Sequence, residues 1–145
     1  MKSHCFSALF ILMICFLCSN GSIAQVKLGL GGGLISDGST ALLQGRIELG
    51  PRSFKMASSF NLFLEDGPDW AVDIDGHYKV ADISDDIYLD VFPGLNLLKA
   101  GNDTDIGVNL GGTLRIETNR NAIYIEPKYT IGTYDSFVIT GGFIF

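Results

Sequence analysis

Beyond residue 24 the sequence contains no cysteine, because Cys5, Cys15 and Cys18 all precede it. Residues 25–145 therefore have no disulfide, no thiol nucleophile and no thiolate metal site. Small exported domains often rely on disulfides, so a single domain of about 120 residues needs another source of stability. Histidine is nearly absent too: His77 stands alone after residue 24, which excludes a multi-histidine metal centre. Positive charge is scarce. Nine Lys and Arg face sixteen Asp and Glu beyond residue 24, a net charge of −7. Phosphate backbones require clustered positive charge, so nucleic acid is excluded as a partner. No helical period can be traced after Gln25.

What the first 24 residues do contain is an export pattern. Lys2 is followed by an apolar run from Phe6 to Leu17 and then by Ser22-Ile23-Ala24. A basic start, a short apolar stretch and small residues two apart describe a secretory signal, and a spanning helix would need about 20 apolar residues. Cleavage is expected between Ala24 and Gln25. Lipid attachment at Cys15 or Cys18 is the alternative, but Ile14 and Leu17 precede them where lipoprotein signals carry a small residue. The expected organisation is thus a signal peptide over 1–24 and one domain over 25–145.

That domain alternates. Runs of about ten residues are separated by clusters of Gly, Asp, Asn, Ser and Pro, as strands are separated by turns. The runs are 26–35, 40–49, 54–65, 70–81, 87–98, 106–117, 122–131 and 137–145. Their number is even, and strands of roughly 9–11 residues are long enough to cross a bilayer at a tilt. Turns of about four to eight residues remain between them on this parsing.

Successive side chains in a strand point to opposite faces. One face of every run is hydrophobic, as in Val26, Leu28, Leu30 and Leu34 or Ile106, Val108, Leu110 and Leu114. The exceptions are Ser58, Pro93, Pro127 and the glycines 32, 45, 76, 112 and 141. The other face holds the strand charges: Lys27, Arg46, Glu48, Lys55, Glu65, Asp73, Asp75, Lys79, Asp90, Arg115, Glu117, Glu126 and Lys128. Gln44, Asn61, His77, Asn96 and Asn109 share it, with small residues such as Gly29, Gly31, Gly33, Ala57, Gly111 and Gly142. Lys99 sits at a boundary, since one more strand residue would place it on the apolar side.

Alternation alone leaves two barrels open. A secreted soluble carrier of the lipocalin kind turns its apolar face inward around a hydrophobic ligand. A membrane barrel turns it outward to lipid and fills its lumen with polar groups. Three features favour the second: the near balance of charge on the polar face, its many small side chains, and the aromatics near strand ends. Phe54 and Tyr78 gather toward one rim, Trp70 and Phe137 toward the other, as interfacial girdles do.

The stretch from Phe137 to Phe145 resembles the terminal β-signal of bacterial outer-membrane proteins, with Phe137, Ile139, Phe143 and Phe145 in alternation. As a pattern, Gln25 to Phe145 resembles the small eight-stranded outer-membrane barrel families of Gram-negative bacteria. The resemblance implies an all-β, antiparallel, up-and-down transmembrane barrel. Its expected partners are outer-membrane lipids and, during biogenesis, periplasmic chaperones and the barrel-assembly machinery.

Chemistry has few candidates. Asp73, Asp75 and His77 lie on one face at steps of two and are the residues to weigh as a metal or acid–base site. The competing reading is a luminal network in which Lys79, Arg46 or Arg115 neutralise the acids, since buried charges need pairing. Barrel enzymes acting on lipid carry a His-x-Ser pair with an acidic partner, or a His and a Ser near the outer surface. Here the sequence reads His77-Tyr78-Lys79, so neither template transfers and no cofactor is implied. Gly31-Gly32-Gly33 lacks the Lys-Ser/Thr and helix of a phosphate loop. The sequence-level function is a non-enzymatic envelope barrel, structural or binding lipid or a small ligand. Pro93 and Pro127 are the misfits: they predict bulges or a broken run.

Overall fold

The computed structural model describes residues 26–36, 40–64 and 67–145. The expected signal peptide over 1–24 with its three cysteines, and also Gln25, Asp37, Glu65 and Asp66, lie outside the described residues. The elements are β1 (Val26–Ile35), β2 (Ala41–Leu49), β3 (Phe54–Phe63), β4 (Trp70–Asp82), β5 (Ile87–Ala100), β6 (Asp103–Glu117), β7 (Ala122–Ile131) and β8 (Ser136–Ile144). Each pairs antiparallel with its sequence neighbours, and β8 returns to pair with β1, closing an eight-stranded barrel. Closure leaves no free edge to aggregate or to present unpaired amides to a bilayer.

The faces sort by period two, and the charged face is the inner one. In β7 the buried residues are Ala122, Tyr124, Glu126, Lys128 and Thr130, while Ile123, Ile125, Tyr129 and Ile131 point outward. In β3 the same alternation buries Lys55, Ala57, Ser59 and Asn61 and exposes Phe54, Met56, Phe60 and Leu62. This is the inverse of a soluble barrel. An apolar lumen of the lipocalin kind is absent from this fold.

Pro93 and Pro127 fit without bulges, contrary to the sequence expectation. Pro93 faces Leu110 in the β5/β6 ladder, and Pro127 faces Ile139 in the β7/β8 ladder. On their other sides the pairs lapse, between Asp75↔Gly94 and Tyr78↔Val91, and between Gly111↔Lys128 and Leu114↔Ile125. The register resumes unchanged across each gap. In an antiparallel strand a residue's N–H addresses one neighbour only, so each proline removes a bond on one side and leaves the other ladder whole. The register shift lies elsewhere, in β4 between Lys79 and Ala81.

One rim carries Val26, Phe145 and the four-residue turns 50–53, 83–86 and 118–121; it is called the lower rim below. At the upper rim the β5–β6 connection is shorter than expected. Asp103 and Asp105, read from sequence as turn acids, belong to β6, and the hairpin closes through Ala100↔Asp103 around Gly101 and Asn102. Gly101 has φ +56°, a backbone that a two-residue hairpin favours and that glycine adopts without a Cβ penalty.

The lumen is less uniformly polar than its sequence face suggested. Tyr88, Phe92 and Tyr124 are buried in it, and Ile35, Leu42, Val138 and Phe63 form an apolar cluster toward the upper rim. Room for these rings comes from luminal glycines. A Cβ at Gly31 would meet the Tyr124 hydroxyl at 2.5 Å and the Gly141 carbonyl at 2.6 Å. On the outer face, a Cβ at Gly45 would meet nothing within 4 Å. Gly31→Val is therefore expected to destabilise by about 1–3 kcal/mol or to block closure. Gly45→Ala should stay within about 0.5 kcal/mol of the parent. Urea unfolding of each variant in lipid vesicles checks the contrast.

Candidate functional site

The polar residues meet inside the barrel in layers. Buried there are four cations (Arg46, Lys55, Arg115 and Lys128) and five carboxylates (Glu48, Asp73, Asp75, Asp90 and Glu126). Alternation on neighbouring strands aims all of them at one axis, and a lumen of eight strands is about wide enough to be filled by such side chains.

The central layer is built on two arginines. Arg46 in β2 donates through Nε to Glu48 Oε1 at 2.8 Å and through Nη1 to Glu126 Oε2 at 2.6 Å. Arg115, across the lumen in β6, grips Glu48 through both carboxylate oxygens, with Nη1 to Oε2 at 2.8 Å. The planar guanidinium matches a carboxylate in this two-pronged way, which fixes orientation as well as charge. Arg46 also donates Nη2 to His77 Nε2 at 3.0 Å. A guanidinium has no acceptor, so Nε2 accepts and Nδ1 carries the ring proton. That proton faces Thr113 Oγ1 at 3.3 Å, and Thr113 donates to Glu126 Oε2 at 3.0 Å. His77 is a relay member of a closed hydrogen-bond circuit, with its ring stacked on Phe92 at 4.4 Å between centroids.

Toward the upper rim, Asp73 is saturated. Its Oδ2 accepts from Lys128 Nζ at 2.5 Å and Asn61 at 2.6 Å, and its Oδ1 from Asn96 at 2.7 Å and Asn109 at 2.8 Å. Asn109 spends its second amide hydrogen on Asp75 at 3.0 Å and accepts from Thr130 at 2.8 Å. Tyr124 donates to Gln44, and Gln44 to Asn61, linking this layer back to the centre. Toward the lower rim, Lys55 pairs with Asp90 at 2.8 Å, and the Tyr88 hydroxyl donates to Glu117 at 2.9 Å.

Asp73, Asp75 and His77 thus share a face without sharing a site. Steps of two residues along a strand separate side chains by about 6.6 Å: Asp73 and Asp75 are bridged by the Asn109 amide, while His77 belongs to the arginine layer. Among the described residues no three His, Cys, Asp or Glu side chains converge as a metal-binding group. The neutralising partners also differ from expectation. Lys128, rather than Lys79, Arg46 or Arg115, serves Asp73. Lys79 lies beside the β4 register shift and pairs with Asp82 at 2.6 Å. The two arginines are committed to Glu48 and Glu126.

Lys27, Lys79 and Glu117 are only partly buried, at the lower mouth rather than deep in the lumen. Arg52, placed in a turn by the sequence, joins them: its guanidinium covers the Tyr88 ring at 4.4 Å and approaches Glu117 at 3.7 Å. A cavity of about 130 Å³ lies there, bounded by Lys27, Arg52, Lys55, Tyr88 and Glu117. The luminal rings were the residues that sequence reasoning missed. Parity was the available signal, since Tyr88 and Phe92 flank Asp90, and Tyr124 precedes Glu126, at steps of two.

On the outside, Phe54 and Tyr78 touch at the lower rim with centroids 4.8 Å apart, and Phe60 stacks near Trp70 at 6.2 Å. Phe137, Ile139, Phe143 and Phe145 all point outward.

Removing one partner of a buried pair strands the other charge. Arg115→Ala is expected to cost about 3–5 kcal/mol, and adding Glu48→Gln should recover part of that loss. Lys79→Ala, which removes an exposed pair, should cost at most about 1 kcal/mol. Equilibrium unfolding of the two single variants and the double variant measures the ordering.

No protein-family model and no curated protein matches this chain. Solved structures do. The N-terminal β-barrel domain of OprF from Pseudomonas aeruginosa aligns with a TM-score of 0.72 at 15% identity, over 83% of this chain and 95% of that one. A de novo designed transmembrane β-barrel aligns at 0.57 and 12% identity, over 85% and 98%. Neisserial surface protein A aligns at 0.55 and 14% identity, over 82% and 92%. The chain has the fold of the eight-stranded outer-membrane β-barrels.

Proposed function

We propose that the protein is a non-enzymatic, monomeric component of a Gram-negative outer membrane, with a structural or envelope-associated role that includes contact with lipid or a small ligand. The observation that carries this reading is the inversion of the faces. Side chains such as Leu30, Ile74, Ile106, Leu110 and Ile125 stand outward around the barrel, while Arg46, Glu48, Asp73, Arg115 and Glu126 are sealed within. In water such a surface would be one contiguous apolar patch far beyond what soluble monomers expose. In hydrocarbon it needs no cover, and the closed ladder satisfies the backbone.

Export by a signal over 1–24, delivery by periplasmic chaperones and insertion by the barrel-assembly machinery complete the reading. The outward row Phe137, Ile139, Phe143 and Phe145 is the segment the machinery would read, and the lower rim, with its short turns, faces the periplasm. A non-enzymatic role is supported by the engagement of His77 and Asp73, two of the three residues weighed as a site. Both nitrogens of His77 and all four acceptor positions of Asp73 are used within the protein.

Cell fractionation, with gel mobility before and after boiling, tests the proposal. The protein is expected in the outer-membrane fraction, with the unboiled sample migrating differently from the boiled one. Recovery in the soluble fraction without detergent would refute it.

A further inference from the structure

Among the described residues one strand charge departs from the rule that charges face inward. Because β5 extends to Ala100, Lys99 shares the outward face with Leu95 and Leu97, opposite Trp70 and Thr104. A lipid-facing lysine is tolerated only near the membrane interface, and Lys99 lies one residue from the upper end of its strand. The other strand cations (Lys27, Arg46, Lys55, Lys79, Arg115 and Lys128) have carboxylate partners. Lys99 makes no ion pair and no side-chain hydrogen bond with the described residues.

To one side of it, beyond β4, the outer surface is hollow. Trp70 lies opposite Lys99 across β4/β5, and its indole stacks near Phe60. Phe60 forms one wall of an open basin of about 510 Å³, with Leu30, Ile47 and Val72 as further walls and Gly45 and Ser58 in its floor. Lys99 lies opposite Trp70, Trp70 stacks near Phe60 and Phe60 borders the basin, so the three run diagonally from the upper end of β5 across β4 and β3.

We propose that this outer face of β1–β5 binds a phosphate-bearing lipid, its phosphate on Lys99 and one acyl chain in the basin over Gly45 and Ser58. The inference deepens the membrane reading above and rests on it. Charge complementarity selects the headgroup, since a lysine at a membrane surface attracts anionic lipid. Shape selects the occupant of the hollow. Two copies of this chain meeting there would oppose two concave surfaces and enclose a void, whereas a flexible chain fills it. The indole at headgroup depth is where amphipathic rings settle.

Trp70 is the only tryptophan in the sequence, so its fluorescence reports on this site alone. The full protein is refolded into phosphatidylcholine vesicles containing a small, equal fraction of either brominated phosphatidylglycerol or brominated phosphatidylcholine. Quenching by the anionic lipid is expected to exceed quenching by the zwitterionic one, corresponding to about fivefold enrichment. Lys99→Gln should abolish the excess and leave quenching by brominated phosphatidylcholine unchanged, and Gly45→Leu, which fills the basin, should lower it. Equal quenching by the two lipids, or an excess that survives Lys99→Gln, would overturn the lipid site while leaving the membrane reading intact. Loss of quenching by both lipids as the protein-to-lipid ratio rises would identify a second copy as the occupant and overturn it too. No quenching by either lipid at any ratio would place Trp70 outside the bilayer and overturn both readings.

Discussion

The whole structure depends on the pairing of β8 with β1. Seven residue pairs, from Gly29↔Ile144 to Ile35↔Val138, turn an eight-stranded sheet into a tube. Without them two strand edges would face hydrocarbon with unpaired amides, each costly to bury. At this seam Gly31 lies opposite Gly142 and Gly32 opposite Gly141. Side chains on the luminal pair would collide with the Tyr124 hydroxyl and the facing backbone. The seam therefore closes around a ring rather than around a void.

Closure in turn dictates what the lumen must contain. A tube of eight strands has no room for bulk water, so charged side chains aimed at its axis lose their hydration and must be compensated by one another. The Glu126–Arg46–Glu48–Arg115 chain does this across the barrel, joining β2 to β6 and β7. Asp73 is treated similarly by one lysine and three asparagine amides drawn from β3, β5, β6 and β7. Such contacts are weak evidence for net stability, because desolvation offsets much of the Coulombic gain. Their effect is to fix the relative heights of strands that backbone pairing alone could let slip, since a one-residue slip would turn every charge toward lipid.

Period-two alternation made the fold legible from the sequence, and most strand limits follow from it. Thirteen strand charges on one face, and almost none on the other, pointed to a barrel with one polar side. The near balance of charge on the polar face, its small side chains and the aromatics near strand ends indicated which side faced lipid. The misses have physical causes. Pro93 and Pro127 suggested bulges because the sequence does not reveal which neighbour a missing N–H would have addressed. The acids at 103 and 105 suggested a turn by residue type, while pairing across the Gly101 hairpin keeps them in a strand. Lys79 was a reasonable partner for Asp73 and Asp75 by proximity along β4. The layer that serves Asp73 is set instead by the heights of β3, β5, β6 and β7, which emerge only from the register around the whole barrel. Tyr88, Phe92 and Tyr124 were readable by parity, but an expectation of small or charged luminal residues passed over them.

The central claim is that the apolar face meets lipid and the charged face is sealed. Because residues 25–145 contain no cysteine, single cysteines can carry nitroxide labels at Val108 and Leu110 on the outer face of β6, with Asn119 in a lower turn as a water-exposed reference. In the refolded protein in vesicles, labels at 108 and 110 should relax with dissolved oxygen and be shielded from a water-soluble nickel complex, while the label at 119 responds to nickel. Strong nickel accessibility at 108 and 110 would mean that this face meets water, and would contradict the account.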